Sequence, residues 1–114
     1  MKFYSNEKSL LVGLLGKNTT LTEVVADTVE ASFEKHIPVV ELEGNNVKVT
    51  VGSVIHPMID VHYIEVIAVE TKKGFQIKYL NPGELPIAEF TLVNDEFVSA
   101  YAYCNLHGLW RSAN

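Results

Sequence analysis

From Ile37 onwards, apolar and polar residues alternate in short runs separated by turn signals. Val47, Val49 and Val51 alternate with Lys48 and Thr50, the period-two pattern of a strand with one face buried. Ile37–Leu42 precedes this run, and Gly44-Asn45-Asn46 lies between the two where a tight turn needs positive φ. Val61–Glu70 reads as a long strand of aromatic and β-branched residues; Lys72-Lys73-Gly74 turns it into Phe75–Leu80. Asn81-Pro82-Gly83 opens a further turn, Ile87–Val93 is a strand, Asn94-Asp95 turns, and Phe97–Tyr103 is the last strand. Short strands with a turn about every ten residues predict an all-β fold, best matched by an immunoglobulin-like antiparallel β-sandwich. No stretch of this region has a helical period.

The N-terminal third is less regular. Met1–Tyr4 and Leu10–Leu15 are short apolar pieces, followed by the polar turn Gly16-Lys17-Asn18-Thr19. Within residues 21–35, Leu21, Val24, Val25 and Val29 could form a helical stripe. Their β-branching favours irregular or extended backbone instead. Lys2 and Lys8 before Ser9–Leu15 resemble the start of a signal peptide. The apolar run is at the short limit for one, however, and Lys17 follows with no small-residue cleavage site. The run is also too short to span a bilayer.

A chain of 114 residues suits one core. Its net charge of −5, with no basic run longer than Lys72-Lys73, excludes nucleic acid and anionic membrane as main partners. A single cysteine forms no internal disulfide, so nothing requires an oxidising compartment and the expected location is cytoplasmic.

That cysteine is the most informative residue. Cys104 and His107 are separated by two residues, so one tight loop can offer both to a single ion, and Gly108 follows where the chain must turn. Three other histidines complete the inventory. His36 stands in Glu34-Lys35-His36-Ile37-Pro38, His56 precedes Pro57, and His62 opens the long strand. Imidazole suits iron, copper, zinc and nickel, and a thiolate adds a soft, charged donor. Taken singly, each residue has an ordinary explanation. A lone histidine in a β protein is usually a surface or hydrogen-bonded residue, and a lone buried cysteine is usually a small hydrophobe. Trp110 and Tyr103 read as packing around the loop. The combination points to a metal.

Four segments in order, Glu34-Lys35-His36-Ile37-Pro38-Val39, His56-Pro57-Met58, His62-Tyr63-Ile64-Glu65 and Tyr103-Cys104-Asn105-Leu106-His107-Gly108-Leu109-Trp110, resemble the signature of the superoxide reductases, the desulfoferrodoxin/neelaredoxin family. The likeness spans roughly residues 21 to 111, with Thr28-Val29-Glu30-Ala31 similar to the family's approach to its first histidine. It implies one mononuclear non-haem iron, Fe2+/Fe3+, with His36, His56, His62 and His107 as equatorial ligands and Cys104 as axial thiolate. The sixth position, opposite the thiolate, would be open in the ferrous state, as a reactive centre requires. Superoxide would be reduced to hydrogen peroxide without release of oxygen. Lys35 resembles the family's lysine beside the open position, where it would attract an anion and hold a proton-delivering water. Glu34 resembles the carboxylate that fills that position in the oxidised state.

The chain departs from the family pattern in two places. Many members carry an N-terminal rubredoxin-like unit with a four-cysteine iron; residues 1–20 contain no cysteine. They are expected to form a segment without metal ligands in place of that unit, followed by the iron-binding β-sandwich domain at 21–114. The electron would come from an external donor, rubredoxin or similar, and the protein would be a homo-oligomer, dimer or tetramer. Val66 stands where the family often has tryptophan. Competing readings are a cupredoxin-like copper protein, which needs two histidines and an axial methionine, and a metal-binding module without redox function. A Cys/His hydrolase would leave three histidines unexplained.

Overall fold

The structure is a computed structural model that describes residues 1–5, 10–12 and 22–113, residues 10–12 by their backbone. Along these residues the elements are β1 (Phe3–Ser5), β2 (Leu10–Val12), β3 (Thr22–Val24), α1 (Phe33–His36), β4 (Pro38–Glu43), β5 (Asn46–Val51), β6 (Ile64–Thr71), β7 (Gly74–Tyr79), β8 (Ile87–Thr91), β9 (Phe97–Cys104) and β10 (Gly108–Arg111). They form two facing antiparallel sheets, ordered β10-β9-β6-β7 and β4-β5-β8, with a third small sheet β2-β1-β3. The β-sandwich predicted from alternation is present.

Its core follows from that alternation. In β5, Val47, Val49 and Val51 are buried while Asn46, Lys48 and Thr50 are only partly covered. They pack with Ile64, Ile67 and Val69 of β6, Ala88 and Phe90 of β8, and Ala100, Ala102 and Cys104 of β9. Ile64 pairs with Cys104, but Val66 already pairs with Tyr103. Glu65 is therefore the extra residue of a β-bulge, which lets the odd-spaced Ile64 and Ile67 share the core face. On the other face of this sheet, Phe3 packs with Ala68, Tyr101 and Leu109 as a second apolar cluster. Its ring lies 4.9 Å from that of Tyr101. The N-terminal sheet thus covers a face that would otherwise be wet. The expected turn at 16–19, together with residues 13–15 and Leu21, lies outside the described residues.

Three local expectations change. Residues 33–36 form one helical turn, closed by Ile37 N–H donating to Phe33 O at 2.9 Å; four residues are too few to show a helical period. A further strand, β10, follows the cysteine loop, too short to alternate visibly. His62 lies before β6 rather than opening it, in a tight turn where Ile59 and His62 exchange backbone hydrogen bonds of 3.0 Å each. Among the described residues no helix is long and apolar enough to cross a membrane.

Candidate metal centre

Four connections at one end of the sandwich carry the predicted ligands. His36 ends α1, whose approach is fastened along β10: Asp27 N–H donates to Leu109 O at 2.9 Å, and Arg111 N–H to Asp27 Oδ1 at 3.0 Å. His56 follows the loop after β5. That loop is sewn to α1, because Glu34 O accepts from Val54 N–H at 2.9 Å and from Ser53 Oγ at 3.3 Å. His62 sits in the turn before β6. Cys104 and His107 flank the turn between β9 and β10, where Cys104 pairs with Gly108. Gly108 has φ +78, and a Cβ there would lie 3.2 Å from Val29 Cγ2, so the turn needs glycine.

These turns bring the four imidazoles into a square. Ring centroids are 4.7 Å apart for His36–His56, 4.6 Å for His56–His62, 5.1 Å for His62–His107 and 4.9 Å for His107–His36. The His36–His62 diagonal is 6.4 Å. Neighbouring rings stand edge to face, at 76–88° to one another. Cys104 is not a corner of the square; its Sγ lies 3.9 Å from His107 Nδ1. One donor atom each from His36, His62, Cys104 and His107 falls within 4.8 Å of all the others, and His56 adjoins through His36.

Proton positions decide what this square can hold. His36 Nδ1 lies 2.7 Å from Ser32 O and His56 Nδ1 lies 2.7 Å from Pro57 O. A carbonyl only accepts, so both Nδ1 atoms carry hydrogen and both neutral rings present a bare Nε2. Those two Nε2 atoms are 3.2 Å apart, and His36 Nε2 is 3.1 Å from His107 Nδ1. A shared proton could bridge the first pair only if one ring were charged. Burial opposes that: it lowers the pKa of His36, and that of His56 from 6.5 to about 4. Burial also lowers the pKa of His62, whose buried Nε2 has no hydrogen-bond partner. Bare Nε2 atoms this close, beside the donors of His62, His107 and Cys104, suit a metal cation. Adjacent ligands about 2.1 Å from one ion would lie about 3 Å apart, close to the spacings observed. The Cys104 thiol is fully buried, and burial raises its pKa; it would deprotonate on meeting an ion.

Trp110 is the buttress that sequence alone marked only as packing. It is fully buried, its ring lies 5.0 Å from His36, and its Nε1–H donates to His107 O at 3.0 Å. One side chain therefore braces two corners. Gly52, which sequence reasoning passed over, lets the β5 loop reach α1. A Cβ on Gly52 would lie 2.6 Å from Glu34 O and 2.9 Å from Ile37 O. The only sequence signal was a glycine ending a valine-rich strand. Glu34 and Lys35 are exposed on α1. Lys35 immediately precedes His36 on that helical turn. A hydrogen bond from its own backbone amide holds the Glu34 carboxyl below the usual carboxylate range.

An antiparallel sandwich with four histidines and one cysteine gathered at one end has the donor set of a metal-binding protein. Residues 28–113 match the desulfoferrodoxin family, and the chain belongs to that family. It is 53% identical over 97 residues to a desulfoferrodoxin homolog of Archaeoglobus fulgidus, covering 85% of this chain and 75% of the relative. Similarity to a superoxide reductase of Pyrococcus furiosus is 34% identity, over 69% of this chain and 86% of that protein. Among solved structures, the superoxide reductase from Treponema pallidum superposes with TM-score 0.84 at 40% identity, covering 97% of both chains. The superoxide reductase (1Fe-SOR) from Giardia intestinalis gives TM-score 0.60 at 34% identity, over 69% of this chain and 95% of its own.

Proposed function

We propose that the chain is a superoxide reductase that holds one iron ion on His36, His56, His62, His107 and Cys104. The observation that carries this reading is the square of imidazoles beside Cys104, in which His36 and His56 present bare Nε2 atoms 3.2 Å apart. When bound, iron supplies a one-electron reduction, so that superoxide, one electron and two protons give hydrogen peroxide. The electron comes from an external donor, rubredoxin or a similar protein.

The protein's own part is to bind, steer and protonate. Lys35, exposed beside His36, draws an anion towards a chain of net charge −5 and holds a water that passes on a proton. Glu34, on the same turn, is the carboxylate available to the open face when substrate is absent. Cys104 and the four rings are carried by turns hydrogen-bonded to neighbouring segments, which keeps their donor atoms in place before the ion arrives. The competing chemistries fit less well. The Met58 sulfur is occupied as an acceptor for Ile64 N–H at 3.3 Å, so it does not serve as a cupredoxin-type axial ligand. A thiol whose pKa is raised by burial is a poor hydrolase nucleophile.

Residues 1–20 stand in place of a rubredoxin-like unit and supply no histidine or cysteine; residues 21–114 are the iron-binding domain. The family match over residues 28–113 falls within the second of these. A homo-oligomer is consistent with exposed Phe75 and Tyr79 on the edge strand β7. A buried, unpaired cysteine supports a cytoplasmic location.

Metal analysis with visible spectroscopy tests the centre. About one iron per chain is expected, with a thiolate-to-iron absorption band that disappears in Cys104→Ala. Copper or zinc at full occupancy, or an unchanged spectrum in that variant, would overturn the assignment. Mixing the reduced protein rapidly with superoxide should oxidise the iron at a near-diffusional rate; no oxidation would leave a metal-binding module instead.

A further inference from the structure

His62 is the corner of the square with the least local support. His36 and His56 are each oriented by a carbonyl against Nδ1, whereas His62 has no such anchor among the described residues, and its Nε2 is unpartnered. Its direction must come from the backbone on either side. At His62 itself the backbone is paired with Ile59, and on either side of it one further side chain grips the chain. Tyr63 N–H donates to Asn105 Oδ1 at 2.9 Å, and Asn105 Nδ2 donates to Val61 O at 3.1 Å. Asn105 N–H also donates to Tyr63 O at 3.2 Å. The residues immediately before and after His62 are therefore both bound to Asn105, which itself lies between Cys104 and His107.

We propose that Asn105 is a positioning residue that fixes the His62 corner against the turn carrying Cys104 and His107. The chemistry requires an amide of this length. Aspartate keeps the acceptor for Tyr63 N–H but places a second acceptor against Val61 O, alanine keeps neither contact, and glutamine adds a methylene between backbone and amide. Asn105 is not one of the donor residues of the cluster. It acts through His62, holding that imidazole at the distance the other ligands set for the ion. Residues of this kind, which orient metal ligands, typically contribute about 10–100-fold to metal affinity.

The inference rests on the iron centre proposed above, and two measurements separate their failures. Iron-loaded wild type, Asn105→Ala, Asn105→Asp and Gln76→Ala are compared for iron loss to a chelator and for the position of the thiolate-to-iron band. Gln76→Ala removes a comparable side-chain-to-backbone bond, Gln76 Nε2 to Thr91 O at 3.0 Å, remote from the cluster. Asn105→Ala should weaken iron binding about 10–100-fold and shift the band. Asn105→Asp should fall between alanine and wild type, and Gln76→Ala should match wild type. In metal-free protein, the Tyr63 amide should exchange with solvent faster in Asn105→Ala. Wild-type affinity and an unmoved band in both Asn105 variants would overturn the proposal, as would equal weakening by Gln76→Ala. If Asn105→Ala does not fold, Asn105→Asp against wild type decides. A wild type that takes up no iron instead refutes the metal centre itself, and the role of Asn105 with it.

Discussion

Two imidazole nitrogens without protons, 3.2 Å apart, repel each other unless a cation lies between them. The metal-free chain can relieve that repulsion only by taking up a proton, and burial of His56 opposes this down to about pH 4. The consequence for stability has a definite sign. The folded pKa, about 4, is below the ordinary value of 6.5, so between these values the unfolded chain binds more protons. Metal-free protein should therefore lose stability as pH falls from about 6.5 towards 4, and His56 should contribute no slope above that window. Urea-unfolding midpoints measured across pH on metal-free protein check this. A His56→Gln variant should flatten the slope in that window; an unchanged slope would contradict the assignment. At this scale the ligand types were legible in the sequence, since it offers one cysteine and four histidines for such a centre. Their protonation was not, because the Ser32 and Pro57 carbonyls that fix the tautomers act through folded geometry.

At the scale of elements, the centre depends on turns rather than strands. The loop after β5 meets α1 so closely that Gly52 has no room for a side chain. The atoms in the way are backbone carbonyls, which cannot rotate aside as a side chain would. Gly52→Ala should therefore shift α1, lower stability by about 1–3 kcal/mol and loosen iron through His36. Gly74, where a Cβ would meet nothing within 4 Å, provides the control. Denaturation midpoints and iron retention of Gly52→Ala and Gly74→Ala should differ clearly; matching values would mean that the close approach does not matter. The long strands were readable because Val47, Val49 and Val51 alternate over a buried face. The helical turn Phe33–His36 and the strand Gly108–Arg111 span only four residues each. Tertiary contacts such as Asp27 to Leu109 hold them where local pattern is too short to show.

At the scale of the whole molecule, net charge opposes the substrate. A chain at −5 repels an anion, and the role proposed for Lys35 is to supply a local attraction. Lys35→Ala should slow oxidation of the reduced iron by superoxide about tenfold or more and weaken its dependence on salt. Raising ionic strength should slow the unmutated protein, because a Debye length of about 8–10 Å at moderate salt screens such steering. Stopped-flow rates across a salt series provide the measurement. Equal rates and equal salt slopes for the two proteins would remove Lys35 from this role. The N-terminal sheet contributes at this scale too: Phe3 seals the outer face of β9 and β6 against Tyr101 and Ala68, far along the chain from the cluster.

The sequence by itself determined the sandwich and named the candidate ligands. Strand alternation depends on the nearest neighbours along the chain, and one cysteine with four histidines leaves few metal chemistries to choose from. Tertiary structure alone decided how those ligands meet. The square of rings, the bare nitrogens, the Trp110 buttress and the grip of Asn105 around His62 join residues distant in the chain. His36 and His107, neighbours in the square, are 71 positions apart. Such contacts arise only when separate turns fold to one end of the sandwich, and no pattern along the chain records them.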